Sequence, residues 1–412
     1  MKPAKHILAL NTGSSSIKFS QYDIGKVEKP VFSGSLTRIG SDGGFFSVRD
    51  GKGSLIAEER VGMRDHEKAC VHVFSWLLSQ RTFLKPDAVG HRMVHGGADF
   101  TAPEIITPAL IESLEQLSAF APEHLPQALA AVRYVGKKLP GVVQAACFDT
   151  AFHRSMPTVA RLYPLPENVR QQGVQRYGFH GLSCEYLLTE LQKEEGGKAL
   201  PGKIILAHLG HGASMTAVQD GKSIDTTMGF SPAGGLVMST RTGDLDPGVM
   251  LFLQEQGRLS PEEIKDMVNR RSGLLGVSGK SSDMRDLLET EMDDGAAHDA
   301  VELFCYQVRK HTGSLAAALG GLDVLVFTGG IGEHSPEIRK RICTGLEFLG
   351  VTVDEEKNRK NMPVVSLEKG PVAVRIIKTN EELMIARHAY AVLVGSGRTY
   401  LQKKTITTND GE

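Results

Sequence analysis

Apolar and small polar residues alternate in the same order at two places along the chain. Residues 7–10 read Ile-Leu-Ala-Leu and residues 205–209 read Ile-Leu-Ala-His-Leu, and each run leads into a turn of Gly, Ser and other small residues. A second run of alternating character follows, and each copy ends at a Gly-Lys pair, at 25–26 and at 221–222. The pattern predicts two β-hairpins whose turns expose backbone N–H groups and hydroxyls, a combination that suits phosphate. Two matched copies favour a duplicated fold that binds a polyphosphate from both sides over two unrelated surface hairpins.

The rest of the first half predicts strands followed by alternating helices and strands. Residues 1 to about 50 predict an antiparallel meander with Gly-rich turns at 41–44 and 50–53. A helix is predicted over 63–80 with the apolar residues Val71, Phe74, Leu77 and Leu78 on one face, and further helices over 105–120 and 127–139. Buried strands are predicted from 88 and over 142–148. This order indicates an α/β layout.

The second half repeats the order of the first. Residues 260–263 read Ser-Pro-Glu-Glu, which is typical of a helix start, and a buried strand over 324–327 leads into a glycine-rich turn and then a helix with Ile338, Ile342 and Leu346 on one face. A last long helix is capped at 379–382 and runs to about 394, and the polar tail after Tyr400 is predicted to fray.

The length of the chain suits two domains. With 412 residues it is too long for one ordinary domain, and we place the boundary near 149–155. If the final helix packs on the first domain, the N-terminal domain comprises 1–150 plus about 382–412, and the nucleotide-binding domain comprises 151–381.

Composition and charge narrow the class of protein. The net charge is −1 and Lys and Arg are scattered, so neither nucleic acid nor a membrane surface is expected as a partner. No apolar stretch reaches the roughly 20 residues that span a bilayer, and the N-terminus does not read as a signal peptide. The five cysteines never form a C-x-x-C pair, which predicts free thiols in a reducing compartment, the cytoplasm.

Several polar residues stand in glycine-flanked loops or at strand ends, where ligands bind in α/β proteins. The arginine forks of Arg92 and Arg241 suit carboxylate or phosphate oxygens, and His180 lies in a loop that favours a catalytic cation over a core histidine. Asp149 ends a strand and is either a ligand-site residue or a capping residue. The segment at 281–285 is either an ordinary N-cap or a site where Arg285 stacks on a base and Asp283 holds a ribose.

Seven segments of the chain, in order, carry a family resemblance. They read Leu-Asn-Thr-Gly-Ser-Ser-Ser-Ile-Lys at 10–18, Gly-His-Arg-Met-Val-His-Gly-Gly at 90–97, Phe-Asp-Thr-Ala-Phe-His at 148–153, Arg-Tyr-Gly-Phe-His-Gly at 176–181, Met-Gly-Phe at 228–230 and on to Pro247, Ser-Ser-Asp-Met-Arg at 281–285, and Phe-Thr-Gly-Gly-Ile-Gly-Glu at 327–333. Together they cover essentially the whole chain, which resembles the acetate kinase (acetokinase) family. The resemblance implies the duplicated α/β fold shared by actin-like ATPases and sugar kinases, with two domains and a central interdomain cleft. It also implies Mg-ATP as donor, a short carboxylate as acceptor, acyl phosphate and ADP as products, and a homodimer.

The resemblance implies a role for individual residues on the metal and acceptor side. Asn11 and Glu381 would bind the metal, Mg²⁺ or alternatively Mn²⁺, and Lys18 would lie near the nucleotide phosphates. Arg92 would bind the acceptor carboxylate. The acyl pocket would be walled by Val94, Phe179 and Pro232.

On the catalytic side, the resemblance makes Asp149 the catalytic acid and His180 and Arg241 the residues that stabilise the transition state. A carboxylate acceptor is already ionised at neutral pH, so it needs no base, and we interpret Asp149 as orienting an arginine or metal-bound water. The nucleotide would contact a larger set: His208, Leu209, Gly210, His211, Gly212, Asp283, Met284, Arg285, Gly330, Ile331, Gly332, Glu333 and His334.

The chain departs from the family at three positions. Glu123 stands where the family has a leucine in the wall of the acyl pocket, so either the loop is rearranged, or Glu123 turns away or pairs with a cation, or the acceptor is not plain acetate. His211 and His334 stand where the family has asparagine, at positions that face phosphates. These changes would keep a hydrogen bond or alter donor preference and pH dependence. Since Gly330 and Ile331 are kept, ATP is favoured over pyrophosphate as donor.

The leading hypothesis is therefore an ATP:carboxylate phosphotransferase that interconverts acetate, or a related short carboxylate, and acyl phosphate. One alternative is a pyrophosphate-linked kinase or a kinase for propionate or another carboxylate. The other is a non-catalytic nucleotide-binding regulator of the same fold, against which the complete set of candidate catalytic residues argues.

Overall fold

The computed structural model describes residues 4–197 and 199–395. The chain forms two compact units: the first comprises Met1–Ala151, Gly181–Tyr186 and Asn380–Glu412, and the second comprises Phe152–His180 and Leu187–Thr379. Residues 396–412, which include the tail predicted to fray and the end of the predicted N-terminal domain, lie outside the described residues.

The described residues form strands and helices in alternation. The strands are β1 (Lys5–Thr12), β2 (Ser16–Ile24), β3 (Glu28–Thr37), β4 (Ser41–Asp50), β5 (Leu55–Met63), β6 (Ala88–Met93), β7 (Glu104–Ile105), β8 (Val143–Phe148), β9 (Lys203–Leu209), β10 (Ala213–Gln219), β11 (Lys222–Thr226), β12 (Val324–Thr328) and β13 (Ala373–Ile376).

The α-helices are α1 (His66–Ser79), α2 (Pro108–Gln116), α3 (Leu125–Lys138), α4 (Thr158–Arg161), α5 (Glu167–Arg170), α6 (Gly181–Glu194), α7 (Pro247–Glu255), α8 (Pro261–Arg270), α9 (Gly273–Ser278), α10 (Met284–Thr290), α11 (Gly295–Leu319), α12 (Gly329–His334), α13 (Pro336–Cys343), α14 (Glu355–Arg359) and α15 (Glu381–Leu393). Short 3-10 segments lie at Leu117–Ala119, Asp149–Ser155 and Glu347–Leu349. Among the described helices, none is long and apolar enough to cross a membrane.

The first unit holds an eight-stranded sheet in the order β5-β4-β3-β2-β1-β6-β8-β7. Strands β1 to β5 form the predicted antiparallel meander, and β6 and β8 continue parallel to β1. The turn predicted at 41–44 is wrong, because those residues begin β4. The chain turns just before them, where Arg38 and Gly40 have positive φ of 57° and 90°.

The second unit holds a five-stranded sheet in the order β11-β10-β9-β12-β13. Strands β9, β10 and β11 are antiparallel neighbours, and β12 and β13 continue parallel to β9. The strand order β3-β2-β1-β6-β8 of the first sheet therefore recurs in the second with the same directions. Both predicted hairpins are confirmed, and the fold is duplicated.

Helix α15 packs against the first sheet through apolar residues of β1, β6 and β8. Met384, Ile385, Ala386 and Ala389 are buried in one cluster with Ile7, Ala9, Ala88 and Ala145. The approach is close at Gly90, where an added Cβ would lie 2.6 Å from Cγ2 of Ile385. The first unit thus combines residues from both ends of the described chain.

Helices α1 and α3 belong to a second apolar cluster of the first unit. Its members include Phe19, Phe46, Phe74, Leu77 and Val135. The apolar face predicted for α1 is buried only in part, because Val71 and Leu78 are 43% and 49% exposed, whereas Cys70 and Val73 are buried.

Helix starts follow the predicted cap chemistry. Ser260 and Glu263 form a reciprocal capping box at α8, with the Ser260 N–H 2.8 Å from the Glu263 carboxylate. The predicted face of α13 is confirmed for Ile338 and Ile342, which are buried, whereas Leu346 is buried but lies beyond the end of the helix at Cys343. The helix predicted to start at 105 instead begins at Pro108, because Ile105 pairs with β8 as part of β7.

Candidate active site

Three polar side chains stand at the carboxyl ends of parallel strands in the first unit. Asn11 lies near the end of β1, Arg92 near the end of β6, and Asp149 directly after β8. Parallel neighbours end at one edge of a sheet, so these side chains come together there. The Arg92 guanidinium donates to Asn11 Oδ1 at 3.1 Å and to Asp149 Oδ2 at 2.6 Å.

The Arg92–Asp149 pair is buried and forked. Arg92 Nε lies 3.1 Å from both carboxylate oxygens, Asp149 has no exposed surface, and the Arg92 side chain is 14% exposed. Burial by itself would lower the pKa of Arg92, but the carboxylates of Asp149 and Glu381 outweigh it and raise that pKa. The guanidinium is therefore held permanently charged in a fixed orientation.

Two acids from the first turn of α15 complete this group. Asn11 Nδ2 donates to Glu381 at 2.9 Å and to Glu382 at 3.0 Å, and Glu381 also lies 3.6 Å from Arg92 Nη1. Lys18, which is exposed, is the cross-strand partner of Asn11 in the β1–β2 hairpin. The group thus places carboxylate and amide oxygens around one guanidinium.

The donor set of this group fits Mg²⁺. All its oxygens are hard ligands, and Mg²⁺ usually takes one or two carboxylates and completes its shell with water and substrate phosphates. Within the described residues no cluster of three or more His, Cys, Asp or Glu side chains could hold a metal ion unaided. This group therefore suits a metal ion that is bound partly by the phosphates of a substrate, and not a metal ion whose ligands all come from the protein.

In the second unit, His180 is oriented by the β9–β10 hairpin. His180 has a left-handed backbone, with φ 58°, immediately before α6. Its Nδ1 lies 2.9 Å from Ser214 Oγ, and its ring stacks on His208 with centroids 4.2 Å apart. Because Ser214 and His208 are cross-strand partners on β10 and β9, the hairpin register fixes the imidazole.

Arg241 approaches the same hairpin turn. A Cβ added at Gly212 would lie 3.4 Å from both His180 Nε2 and Arg241 Nη1, so both side chains rest against a backbone without a side chain. Arg241 Nη1 also lies 3.3 Å from the Pro232 carbonyl oxygen. A cationic guanidinium and an imidazole beside a glycine turn suit the oxygens of a phosphate group.

His211 lies in this turn and is exposed. Crowding by protein atoms lowers the pKa of its imidazole, the charge of Arg241 lowers it further, and Asp283 acts in the opposite direction. The imidazole is therefore biased towards its neutral form.

The glycine-rich segment that was predicted as a turn after β12 forms the short helix α12, which we call the 329–334 turn, and its start lies beside the end of β9. Gly329 has φ 78°, and a Cβ there would lie 2.6 Å from the Leu209 carbonyl oxygen. Glu333 braces the turn: its Oε1 accepts from Thr328 Oγ1 at 3.2 Å and from the Gly329 N–H at 2.9 Å, and the Thr379 N–H donates to the same oxygen at 3.1 Å. The close approach leaves room only for glycine at position 329.

Asp283 is the N-cap of α10 and accepts from the Arg285 N–H at 2.9 Å. The Arg285 side chain folds back on the same carboxylate at 2.6 Å and is 84% exposed. Met284 is buried as the first residue of the helix. The N-cap interpretation is confirmed, and base stacking by Arg285 stays a prediction.

The other predicted site residues lie at scattered positions in the two units. Val94 is buried just after β6, and Glu123 is half-buried just before α3. Phe179 is buried in the second unit, and its carbonyl accepts from His153 Nε2 at 2.9 Å. His334 is exposed and lies 3.8 Å from Glu333. That these residues contact an acyl group or a phosphate stays a prediction.

Sequence reasoning missed two residues of these groups. Glu382 shares Asn11 with Glu381, and the doubled acid at the helix start was its only signal. Ser214 orients His180, and its place two positions after Gly212 of the predicted turn could have identified it.

The chain matches known proteins over nearly its whole length. The model of the Acetokinase family matches residues 6–387. An acetate kinase of Rhodopseudomonas palustris is 43% identical over 394 residues, covering 94% of this chain and 98% of the relative, and one of Thermotoga maritima is 40% identical over 404 residues, covering 95% and 100%.

Solved structures match equally broadly. An acetate kinase of Porphyromonas gingivalis has a TM-score of 0.82 at 37% identity, and a propionate kinase of Francisella tularensis has a TM-score of 0.86 at 34% identity. Each covers 94% of this chain and is itself covered completely. With the duplicated sheets and the groups just described, this defines an enzyme that transfers a phosphoryl group to a carboxylate, built on the fold of sugar kinases and actin-like ATPases. The chain belongs to the acetokinase family.

Proposed function

We propose that the enzyme reversibly converts ATP and a short carboxylate, acetate or propionate, to ADP and acyl phosphate by in-line transfer. The observation that carries the proposal is the Asn11–Arg92–Asp149–Glu381 group at the strand ends of a chain of this family. It supplies one fixed guanidinium for a carboxylate and several oxygens for a metal.

Arg92 binds the acceptor carboxylate in this proposal. Asp149 serves as an orienting group, because its oxygens already accept hydrogen bonds from the guanidinium and an ionised acceptor needs no base. Positioning of this kind is a large part of phosphoryl-transfer catalysis, since two anions must be held in line.

His180 and Arg241 stabilise charge on the transferring phosphoryl group. Their joint approach to Gly212 and the orientation of His180 by Ser214 support this role. Preorganised donors of this type contribute most where charge develops in the transition state. The turns at 208–212 and 330–334, with Lys18 and residues 283–285, bind the nucleotide.

Asn11 and Glu381 would hold Mg²⁺, or Mn²⁺ in its place, and Glu382 belongs with them because it accepts from the same amide. The metal would neutralise charge on the donor phosphates. Asn11 in turn fixes the two carboxylates through its Nδ2 donor.

Propionate is kept beside acetate because one of the similar structures is that of a propionate kinase. A second reason not to restrict the acceptor to acetate is that Glu123 stands where the family has a leucine in the wall of the acyl pocket. We further propose a homodimer and a cytoplasmic location. The five buried free thiols are typical of a reducing compartment.

A hydroxamate assay for acyl phosphate tests the proposal. Acetate, propionate, butyrate and hydroxy or amino acids are offered with ATP or pyrophosphate, each with and without Mg²⁺. We expect Mg²⁺-dependent product with ATP and acetate or propionate. Product with pyrophosphate alone would identify the alternative donor, and ADP binding without product for any acceptor would favour a regulator.

A further inference from the structure

Arg339 on α13 is completely buried, and all its hydrogen bonds go to neutral oxygens. Its Nη1 donates to the Gly332 carbonyl at 2.8 Å, and its Nε donates to Asn358 Oδ1 at 2.8 Å. Its Nη2 donates to the Asn358 carbonyl at 2.9 Å and to Asn361 Oδ1 at 2.6 Å. Among the described residues no carboxylate shares this guanidinium.

A buried cation without an acidic partner is costly unless its donors are all hydrogen-bonded, and in some proteins such a group fixes one particular geometry. Burial lowers the pKa of Arg339 to about 10, so the guanidinium stays charged at neutral pH. Its planar fork joins two separate pieces of chain: α12 through Gly332, and the segment formed by α14 and the two residues after it through Asn358 and Asn361. A lysine has one ammonium and cannot make this pattern.

The bond to Gly332 ties Arg339 to the glycine-rich turn that follows β12. Glu333 holds the start of this turn through Thr328 and Gly329, and Arg339 holds its other side. The turn is thus braced by one anion and one cation, each bonded to neutral groups.

We propose that Arg339 is a positioning residue that fixes the backbone of the 329–334 turn through the Gly332 carbonyl and thereby sets the affinity for the nucleotide. The inference rests on the proposed function, because it takes this turn to be part of the nucleotide site. Arg339 has no exposed surface, so in this proposal it acts through the backbone of the turn and not by contact with the nucleotide. Its effect is therefore on donor binding and not on the acceptor.

The test compares Arg339→Lys with Arg341→Lys. Arg341 lies two positions along the same helix, so it points to another side, and it pairs with Glu291, Glu302 and Glu337. ADP affinity is measured by titration calorimetry, and the KM values for ATP and for acetate are measured separately. We expect Arg339→Lys to weaken ADP binding and raise the KM for ATP at least about tenfold, the scale of losing charge-assisted hydrogen bonds, with the KM for acetate within about twofold. Arg341→Lys should leave the ADP affinity unchanged.

A milder variant keeps the proposal testable if Arg339→Lys does not fold. Asn361 is exposed and has φ 49°, so Asn361→Gly removes one acceptor of Arg339 while preserving the left-handed backbone. We expect it to weaken ADP binding about threefold, a fraction of a charge-assisted hydrogen bond.

Unchanged ADP affinity in folded Arg339→Lys, or in Asn361→Gly where the lysine variant does not fold, would overturn the inference. So would equal losses for ATP and acetate. The proposed function fails separately, if the wild-type protein neither binds ADP nor forms acyl phosphate.

Discussion

Replacing Arg92 by methionine removes the cation paired with a fully buried carboxylate. Asp149 would lose the hydrogen bonds donated by Nε and Nη2, while methionine keeps most of the apolar stem. Breaking a buried ion pair from one side costs about 3–5 kcal/mol. Because the Arg92 side chain is 14% exposed, we expect the lower end, about 3 kcal/mol.

The protein carries its own probe for this measurement. Trp76 is the single tryptophan, and it packs against Phe19, Phe32 and Phe46 in the core of the first unit, the unit that contains Arg92. Its fluorescence during urea unfolding therefore reports on that unit. The urea concentration at the midpoint of unfolding should fall, with an unchanged dependence of the free energy on urea concentration, so that the free energy of unfolding is lower by about 3 kcal/mol.

A double variant shows whether the loss of stability comes from the unpaired charge of Asp149. Arg92→Met with Asp149→Leu replaces both charges by apolar groups and should recover most of the lost stability, giving a coupling energy of at least about 1 kcal/mol. Phosphotransferase activity should stay lost in the double variant, since the proposed acceptor site is gone.

The control is Arg133→Met. Arg133 pairs with Glu115 on the surface, where both side chains are about half exposed, so this change should cost less than about 1 kcal/mol. The reasoning is refuted if Arg92→Met is no more destabilising than the control, or if the effects of the two changes in the double variant simply add.

Three further predictions address the second unit and the dependence on pH. Arg241→Ala should lower turnover by about 10²–10³-fold, the scale of losing one preorganised donor, while calorimetry shows ADP binding; unchanged turnover would contradict its role. Gly329→Ala should weaken ADP binding at least about tenfold, because its Cβ would lie 2.6 Å from a backbone carbonyl of β9, whereas Gly196→Ala, also at positive φ but in open space, should keep ADP affinity. Burial lowers the pKa of His91 to about 4 from 6.5. Unfolding therefore takes up a proton, and stability of the first unit should fall by on the order of 3 kcal/mol as pH drops through this window. Tryptophan-monitored unfolding of wild type and His91→Gln checks this, and an equal pH dependence in both would argue against it.

Local chemistry determined the elements that the sequence predicted correctly. The two hairpins, the capping box at Ser260 and the buried face of α13 depend on turn residues, cap residues and periodicity within a few positions. Family motifs spread along the chain pointed to the reaction class and to Arg92, Asp149, His180 and Arg241 as candidates.

Tertiary packing decided the contacts between residues that are far apart in the sequence, which local sequence patterns do not contain. The face of α1 that is buried was set by the cluster it joins, so Val71 and Leu78 reach solvent although they fit a helical period. Asn11 meets Glu381 and Glu382 across some 370 residues of chain, and Arg339 meets Asn358 and Asn361 across a helix boundary. The sequence by itself determined which side chains were available and which elements they stand on. Only the folded sheets decided which of them share a hydrogen bond, because contact energies depend on distance in space and not along the chain.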